Sequence, residues 1–457
     1  MSVESTEVRA GSYADSVTLM QVSQRAASVE GVEAAMVAMA TPLNLDLLTR
    51  QGFAPPTATP NDLVIAVRAV DDAALRAGLE AVAAAWRPAP AATATQTQAP
   101  RTTASALRGE RQGRDIVLVS VPGPHAFTEA MDAVTAGTDV MIFSDNVSLE
   151  QEVTLKEAAE RTGALVMGPD CGTAIMDGFG LGFANAVRAG PVGIVAASGT
   201  GAQQVTTLLD LAGVGVSAVL GVGGRDMSAQ VGARATRIAL KRLAADAATE
   251  HIVVVSKPPS PAVEAEIRAL DLAKPVTFVL LGPGHADLTA GTEECLRRVG
   301  VKVPSWPIWG LARAGTVSGE IRGLFAGGTL CAEAALIAGP GRFVDFGDDA
   351  MTQGRAHPMI DPSLRLDALR AELADPSCGV ILLDVVLGYA AHADPAPDLA
   401  DVIEGARPPV LVSLIGTPAD PQGLQEQAEM LAGAGAEVFA SNAQAARRAR
   451  ELVGGAM

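Results

Sequence analysis

Several short runs in this chain have the residue types and spacing to hold an anion and act on it. The first is Ser198-Gly199-Thr200-Gly201, standing between an apolar run at 192–197 and a run with helical apolar spacing at Ala202, Val205, Leu208 and Leu209. A buried strand, a Gly-rich turn and a helix start aim free backbone N–H groups and the positive end of a helix dipole at one point, which favours phosphate. The same residues also make a plain tight turn with Ser198 as helix cap. A second strand, 216–222, ends in Gly223-Gly224-Arg225-Asp226. Further on, Gly327-Gly328-Thr329 opens another helical run, and Gly347-Asp348-Asp349 ends the strand after it.

The charged candidates sit near these turns. Arg225 and Lys257 end predicted strands, at the carboxyl edge where open α/β sheets bind ligands. Lys257 could equally lie along the surface with its ammonium in water. The Pro-bounded run G-R-A-H-P-M-I-D-P at 354–362 brings together Arg355, a planar fork for carboxylate or phosphate, and His357, a group for proton transfer. Its other reading is a rigid surface turn with His357 capping a helix. Arg225, Lys257, Arg355 and His357 are thus the catalytic candidates. Ser198, Gly199, Thr200, Gly201, Gly223, Gly224, Gly327, Gly328, Thr329 and Gly347 are the anion-binding ones. Cys171 reads as a packed hydrophobe and His285 as a loop histidine. The four cysteines are scattered without a C-x-x-C, so neither a disulfide framework nor a zinc site is expected, and no metal ligand is assigned.

The elements that must position these residues alternate strand and helix throughout. Residues 1–87 read as a small α/β domain with Asp15-Ser16 capping its first helix. Residues 88–113 lose periodicity and read as a flexible linker. Residues 114–190 read as a Rossmann-like domain, and 191–320 and 321–457 as two further α/β domains. The order of turns and strands in 321–457 retraces that of 191–320: Gly-Thr turn, helix, strand with a Gly-rich end, then paired later strands ending at Gly282 and Gly416. Two such turns on converging helices make a better phosphate site than either alone.

Several longer motifs carry a family resemblance. G-P-D-C-G at 168–172, S-G-T at 198–200 and G-V-G-G-R-D at 221–226 resemble the α subunit of succinyl-CoA synthetase. There the corresponding S-G-T opens a helix that holds the phosphate of a phosphohistidine. D-S-V-T-L-M at 15–20, M-I-F-S-D-N-V at 141–147, M-G-P-D-C-G-T at 167–173, S-K-P-P at 256–259 and H-P-M-I-D-P at 357–362 run in the order of the FdrA-type family of acyl-CoA-synthetase-like proteins. The chain is identified as a member. The resemblance implies a CoA-binding-type Rossmann domain followed by two flavodoxin-like domains, the second similar to the C-terminal domain of the synthetase β subunit. It also implies a subunit of an oxamate carbamoyltransferase in allantoin catabolism, working with two partner subunits and with inorganic phosphate as substrate. CoA is a further candidate ligand, but the Gly-rich turn that opens the CoA-binding domain has no counterpart in R-Q-G-R-D-I at 111–116. No ATP-grasp module fits in 87 residues and no G-x-x-x-x-G-K-[ST] occurs, so the chain alone should not use ATP. Three classes stand: a carbamoyl or acyl transferase using phosphate, an acyl-CoA synthetase subunit with a nucleotide-binding partner, and a non-catalytic scaffold.

Composition narrows the partners. A formal net charge of −17 disfavours nucleic acid and anionic membrane surfaces, while leaving room for a phosphate held by local dipoles. No apolar run approaches the roughly 20 residues of a spanning helix, and the expectation is a cytoplasmic enzyme subunit in an oligomer.

Overall fold

The computed structural model describes residues 2–12, 14, 16–86, 100, 102–108, 115–352 and 356–454. It divides into two compact units. The first comprises residues 1–100 with 352–356, and the second 101–351 with 357–457.

In the first unit, β1 (Val3–Arg9), α1 (Ser16–Ala27), β2 (Val32–Met39), α2 (Pro42–Arg50), β3 (Leu63–Ala69) and α3 (Asp72–Ala85) form an antiparallel sheet of order β1-β3-β2 with its helices. Strand β3 is buried on both faces. Leu63, Ile65 and Val67 pack with Leu19, Val22 and Val82, while Val64 and Ala66 pack with Leu48 and Phe53. Asp71 caps α3 by accepting from the amides of Ala73 and Ala74. The cap expected at Asp15 lies outside the described residues.

The second unit opens with a short helix inside the stretch expected to lack structure. It is α4 (Thr103–Ala106), held by a reciprocal capping box between Thr102 and Ser105. A three-stranded parallel sheet of order β4-β5-β6 follows, built from β4 (Ile116–Val119), α5 (Gly123–Thr135), β5 (Asp139–Ile142), α6 (Leu149–Thr162) and β6 (Val166–Met167). Next come β7 (Thr173–Met176), β8 (Phe179–Gly182), β9 (Ala189–Ala197), α7 (Gly199–Leu211), β10 (Val216–Gly221), α8 (Arg234–Ala245), β11 (His251–Ser256), α9 (Pro261–Arg268), β12 (Val276–Leu280) and α10 (Leu288–Arg298). Their sheet has the order β12-β11-β9-β10-β7-β8. The hairpin β7–β8 therefore pairs onto β10 rather than onto the parallel sheet with which sequence order had grouped it.

The remaining elements are β13 (Ile308–Trp309), β14 (Glu320–Phe325), α11 (Gly328–Ala338), β15 (Gly341–Asp345), α12 (Asp349–Thr352), α13 (Ser363–Ala374), β16 (Cys378–Val386), α14 (Ala396–Ile403), β17 (Val410–Ile415), α15 (Leu424–Gly433), β18 (Glu437–Phe439) and α16 (Asn442–Leu452). Their sheet runs β13-β18-β17-β16-β14-β15. The parallel neighbours β10-β9-β11-β12 and β15-β14-β16-β17 follow one pattern, the flavodoxin-like order in which the first strand lies between the second and third. The retraced order of turns in the sequence thus corresponds to a retraced strand order.

These two sheets bring α7 and α11 together, and the buried polar residues show how. Every residue of α7 from Gly201 to Asp210 is buried. Ala202, Val205, Leu208 and Leu209 are its fully buried apolar residues, and its two buried glutamines reach residues of the second sheet's elements. Gln203 Nε2 donates to Asn185 Oδ1 and the Leu387 carbonyl; Gln204 Nε2 donates to the Ala440 carbonyl, and its Oε1 accepts the Asn442 amide. Asn442 in turn donates to the Leu330 carbonyl and to Glu333. A buried network of this kind is favourable only when its members find partners, and it therefore fixes one register between the two helices.

Candidate functional site

The two Gly-rich turns meet. Ser198 caps α7 by accepting the Gly201 amide, and its own hydroxyl donates across to Thr329 Oγ1 on α11 at 2.6 Å. A β-carbon at position 327 would come within 2.7 Å of Thr200, so Gly327 is required by the contact itself. Both helices begin at the carboxyl ends of the first parallel strands of their sheets, β9 and β14, beside the switch point where open α/β sheets bind ligands. The amides of Gly199 and Thr200 on α7, and of Gly328, Thr329 and Leu330 on α11, have no acceptor among the described residues. Thr329 is 3% exposed; having accepted from Ser198, its hydroxyl proton also has no acceptor among them.

Charge is concentrated at the same place. Lys257, following β11, is exposed, makes no ion pair among the described residues and puts Nζ 3.1 Å from where a β-carbon on residue 328 would stand. The carboxylate Oδ2 of Asp345, at the end of β15, would collide with that same β-carbon, while Oδ1 accepts the Gly347 amide. Burial pushes the Asp345 carboxyl up to about 6, against the pull of the Gly347 amide and Lys257. Just behind, buried Asp384 accepts the amides of Ala326 and Gly327 and is paired with buried Arg365 at 2.7 Å. That pair anchors the backbone entering α11.

Not every predicted residue serves this point. Arg225 Nε binds Glu152 at 2.8 Å and its Nη2 binds the Val147 carbonyl, so its guanidinium is engaged by the protein rather than free for an anion. The correction has a physical source. Lys156, 1% exposed on α6, joins Glu152, Asp226 and the Val222 carbonyl, and this network ties down the whole G-V-G-G-R-D turn. Close approach at Gly223 is likewise taken up by protein: a β-carbon there would lie 2.6 Å from the Pro169 carbonyl. Gly201 and Gly347 are packed against Ser198 and His357 respectively and Gly328 against Asp345 and Lys257, whereas at Gly199 and Gly224 a β-carbon would meet nothing closer than 3.5 Å. His357 is also corrected. Its Nδ1 accepts the Met359 amide, leaving the proton on Nε2 near Gly347, and burial with nearby Arg365 pushes its pKa down to about 4. A neutral imidazole can donate a hydrogen bond but is a poor source of a proton at pH 7. Arg355 lies outside the described residues. Cys171 is 2% exposed, and burial pushes its thiol up to about 12.

One acid was passed over in the sequence. Asp170, within G-P-D-C-G, has a left-handed backbone (φ 55°), a conformation that costs energy in a residue other than glycine. Its own surface is open to solvent, yet protein crowds it closely. This desolvation, with Asp349 and Asp145 nearby, pushes its carboxyl up to about 7, against Lys257 and Arg225. The D of that motif is the one sign of this acid in the sequence.

One expected result follows from the crowding at residue 328. Gly328→Ala should displace Asp345 and Lys257 from the start of α11 and weaken phosphate binding about tenfold, about 1.4 kcal/mol. Titration calorimetry would check it. The obstacle a larger side chain meets at 328 is thus the protein's own Asp345 and Lys257, not only an incoming anion.

Comparison with known proteins places the chain among relatives. Residues 1–102 match a family described as AllF, heavy metal-associated domain, and residues 324–452 match a CoA-ligase family. The protein YahF of Escherichia coli (strain K12) is 35% identical, with 98% of each chain covered. The chain belongs to the FdrA-type, acyl-CoA-synthetase-like family. The mitochondrial succinate–CoA ligase [ADP-forming] subunit alpha-2 of Trichomonas vaginalis is 29% identical to this FdrA-type chain over 32% of its length and 48% of the relative's. A solved acetyl-coenzyme A synthetase 1 of Ca. Korarchaeum cryptofilum, dinucleotide forming and in complex with phosphate and ADP, covers 74% of this chain and 84% of its own at 16% identity, with a TM-score of 0.29.

The metal implied by the first of these families does not fit the residues present. Residues 1–102 contain neither cysteine nor histidine, the donors that soft and borderline metals prefer, and no cluster of three or more His, Cys, Asp or Glu suited to a metal occurs among the described residues. Among the described residues no helix is long and apolar enough to cross a membrane.

Proposed function

We propose that this protein is the phosphate-binding subunit of an enzyme that transfers an acyl group, most specifically carbamoyl, to inorganic phosphate. The observation that carries the reading is the hydrogen-bonded junction of Ser198 and Thr329, which faces two helix starts at one point with five amides and a Lys257 that have no partner among the described residues. Such an array holds a phosphate and neutralises its charge without reorganising, as transfer through a tetrahedral oxyanion requires. In the reaction a phosphate oxygen attacks the carbamoyl carbon, the C–N bond to the amide acid breaks, and the departing nitrogen takes a proton. Asp170, half-protonated near neutrality and within the field of Lys257, is suited to supply that proton. His357 is assigned to hydrogen bonding instead.

The FdrA-type membership supports partner subunits, as do relatives whose names mark them as subunits. The matched CoA-ligase family favours a second reading, an acyl-CoA synthetase subunit with a nucleotide-binding partner. One experiment separates the two. The chain, purified with its partner subunits, is given a carbamoylated amide acid and phosphate, without ATP or CoA. Carbamoyl phosphate should form, at a rate that falls as pH rises past about 7, because the proton-bearing form of Asp170 is lost there. Asp170→Asn should remove most of the activity together with that limb of the pH profile. Turnover strictly dependent on CoA, with no carbamoyl phosphate, would favour the synthetase.

A further inference from the structure

We infer that Asp345 makes the site between the two helix starts selective for an oxyanion that still carries a proton, so that hydrogen phosphate is accepted and sulfate is rejected. The inference rests on the anion site proposed above and adds its specificity.

A helix start with a lysine beside it attracts any small oxyanion and cannot by itself tell phosphate from sulfate. Asp345 changes this. Its Oδ1 is held by the Gly347 amide, while Oδ2 lies against Gly328, at the first free amide of α11 and beside Lys257 Nζ. No donor to Oδ2 occurs among the described residues. An anion drawn to the amides of Gly328 and Thr329 and to Lys257 must therefore share the space with a carboxylate oxygen. Thr329 supplies an independent sign of an acceptor at this point: it is almost fully buried, yet its hydroxyl proton has no acceptor in the described chain.

The chemistry of the two anions then decides. Near neutral pH, hydrogen phosphate keeps one P–O–H, which can donate to Asp345 Oδ2 while its other oxygens accept from amides and Lys257. Sulfate has no proton to give, so its oxygen faces a carboxylate oxygen, a like-charge contact that costs free energy in a partly desolvated site. A site built around a ligand's donor rejects the analogue that lacks it, because the buried acceptor is then left unpaired.

The charged groups around Asp345 fit this role. Lys257 favours its ionised form, while Asp384 and Asp348 disfavour it. Asp384 is already committed to Arg365 and to two backbone amides, and the His357 proton points toward Gly347. Asp345 is thus the carboxylate left to meet the ligand on α11.

The test is titration calorimetry of the full chain with inorganic phosphate and, separately, sodium sulfate at pH 8, where Asp345 is ionised. The wild-type protein should bind phosphate at least tenfold more tightly than sulfate. Asp345→Asn keeps the shape and the acceptor for Gly347 but can turn an amide N–H toward the ligand. It should gain sulfate affinity and bring the ratio close to one. Repeating the wild-type sulfate titration at pH 5, where Asp345 is largely protonated, should show tighter sulfate binding, a check that needs no variant to fold. If wild-type protein binds both anions equally at pH 8 and Asp345→Asn leaves the ratio unchanged, the selectivity is overturned while the anion site stands. If neither anion binds at any pH, the anion site itself falls, and this inference with it.

Discussion

Lys257→Ala is expected to weaken phosphate binding about 30-fold, about 2 kcal/mol, while lowering the unfolding midpoint only slightly. The magnitude is that of a hydrogen bond to a charged group. The separation of binding from stability follows from position. Lys257 is exposed and forms no ion pair among the described residues, so nothing in the fold is left unsatisfied when it is cut back. Its ammonium also holds the carboxyls of Asp345 and Asp170 below where burial alone would put them, so both should titrate higher in the variant. The alkaline fall in turnover that Asp170 sets should then move to higher pH even as the rate falls. Calorimetry with phosphate in low and high salt checks the first part, since binding to an exposed ammonium is screened. An unchanged dissociation constant would show that Lys257 does not reach the ligand.

Lys156→Met is expected to cost about 3–5 kcal/mol of stability, the range seen when one partner of a buried ion pair is removed. Nζ of Lys156 donates to Glu152 Oε1 at 2.7 Å, the Val222 carbonyl at 2.8 Å and Asp226 Oδ1 at 2.9 Å, and all three side chains are at most 1% exposed. Methionine fills the volume but leaves two carboxylates facing each other in the interior. Asp226 keeps the Ala235 and Thr236 amides and the Thr236 hydroxyl, and Glu152 keeps Arg225, so the damage should centre on the turn at 221–226. Adding Glu152→Gln to Lys156→Met should recover part of the loss, because it removes one uncompensated charge; independent sites would instead add their costs. Urea unfolding followed by fluorescence and circular dichroism measures both variants. A loss under 1 kcal/mol for Lys156→Met would mean that water or rearrangement already satisfies these carboxylates.

The sequence by itself determined the elements and the repeat. Apolar runs such as 192–197 and 252–255 are fully buried parallel strands, because only a strand covered on both faces is apolar without alternation. The two Gly-Thr turns in matching order were legible for the same local reason: a strand that feeds a helix in a tight turn needs small residues there. The membership of the chain could be read from linear motifs. Tertiary structure alone decided which of those residues act together. Asp345 read as the end of a strand, and only the packing of β15 beside β14 brings its carboxylate to Gly328. Lys156 carries no signal in the sequence; the turn at 221–226 buries it against acids 4 and 70 positions away. Arg225 read as free because its partner, Glu152, belongs to a different sheet's helix. Charge pairing and desolvation depend on distance through space, which the order of residues along a chain does not contain, so the identity of the turns was legible and their chemistry was not.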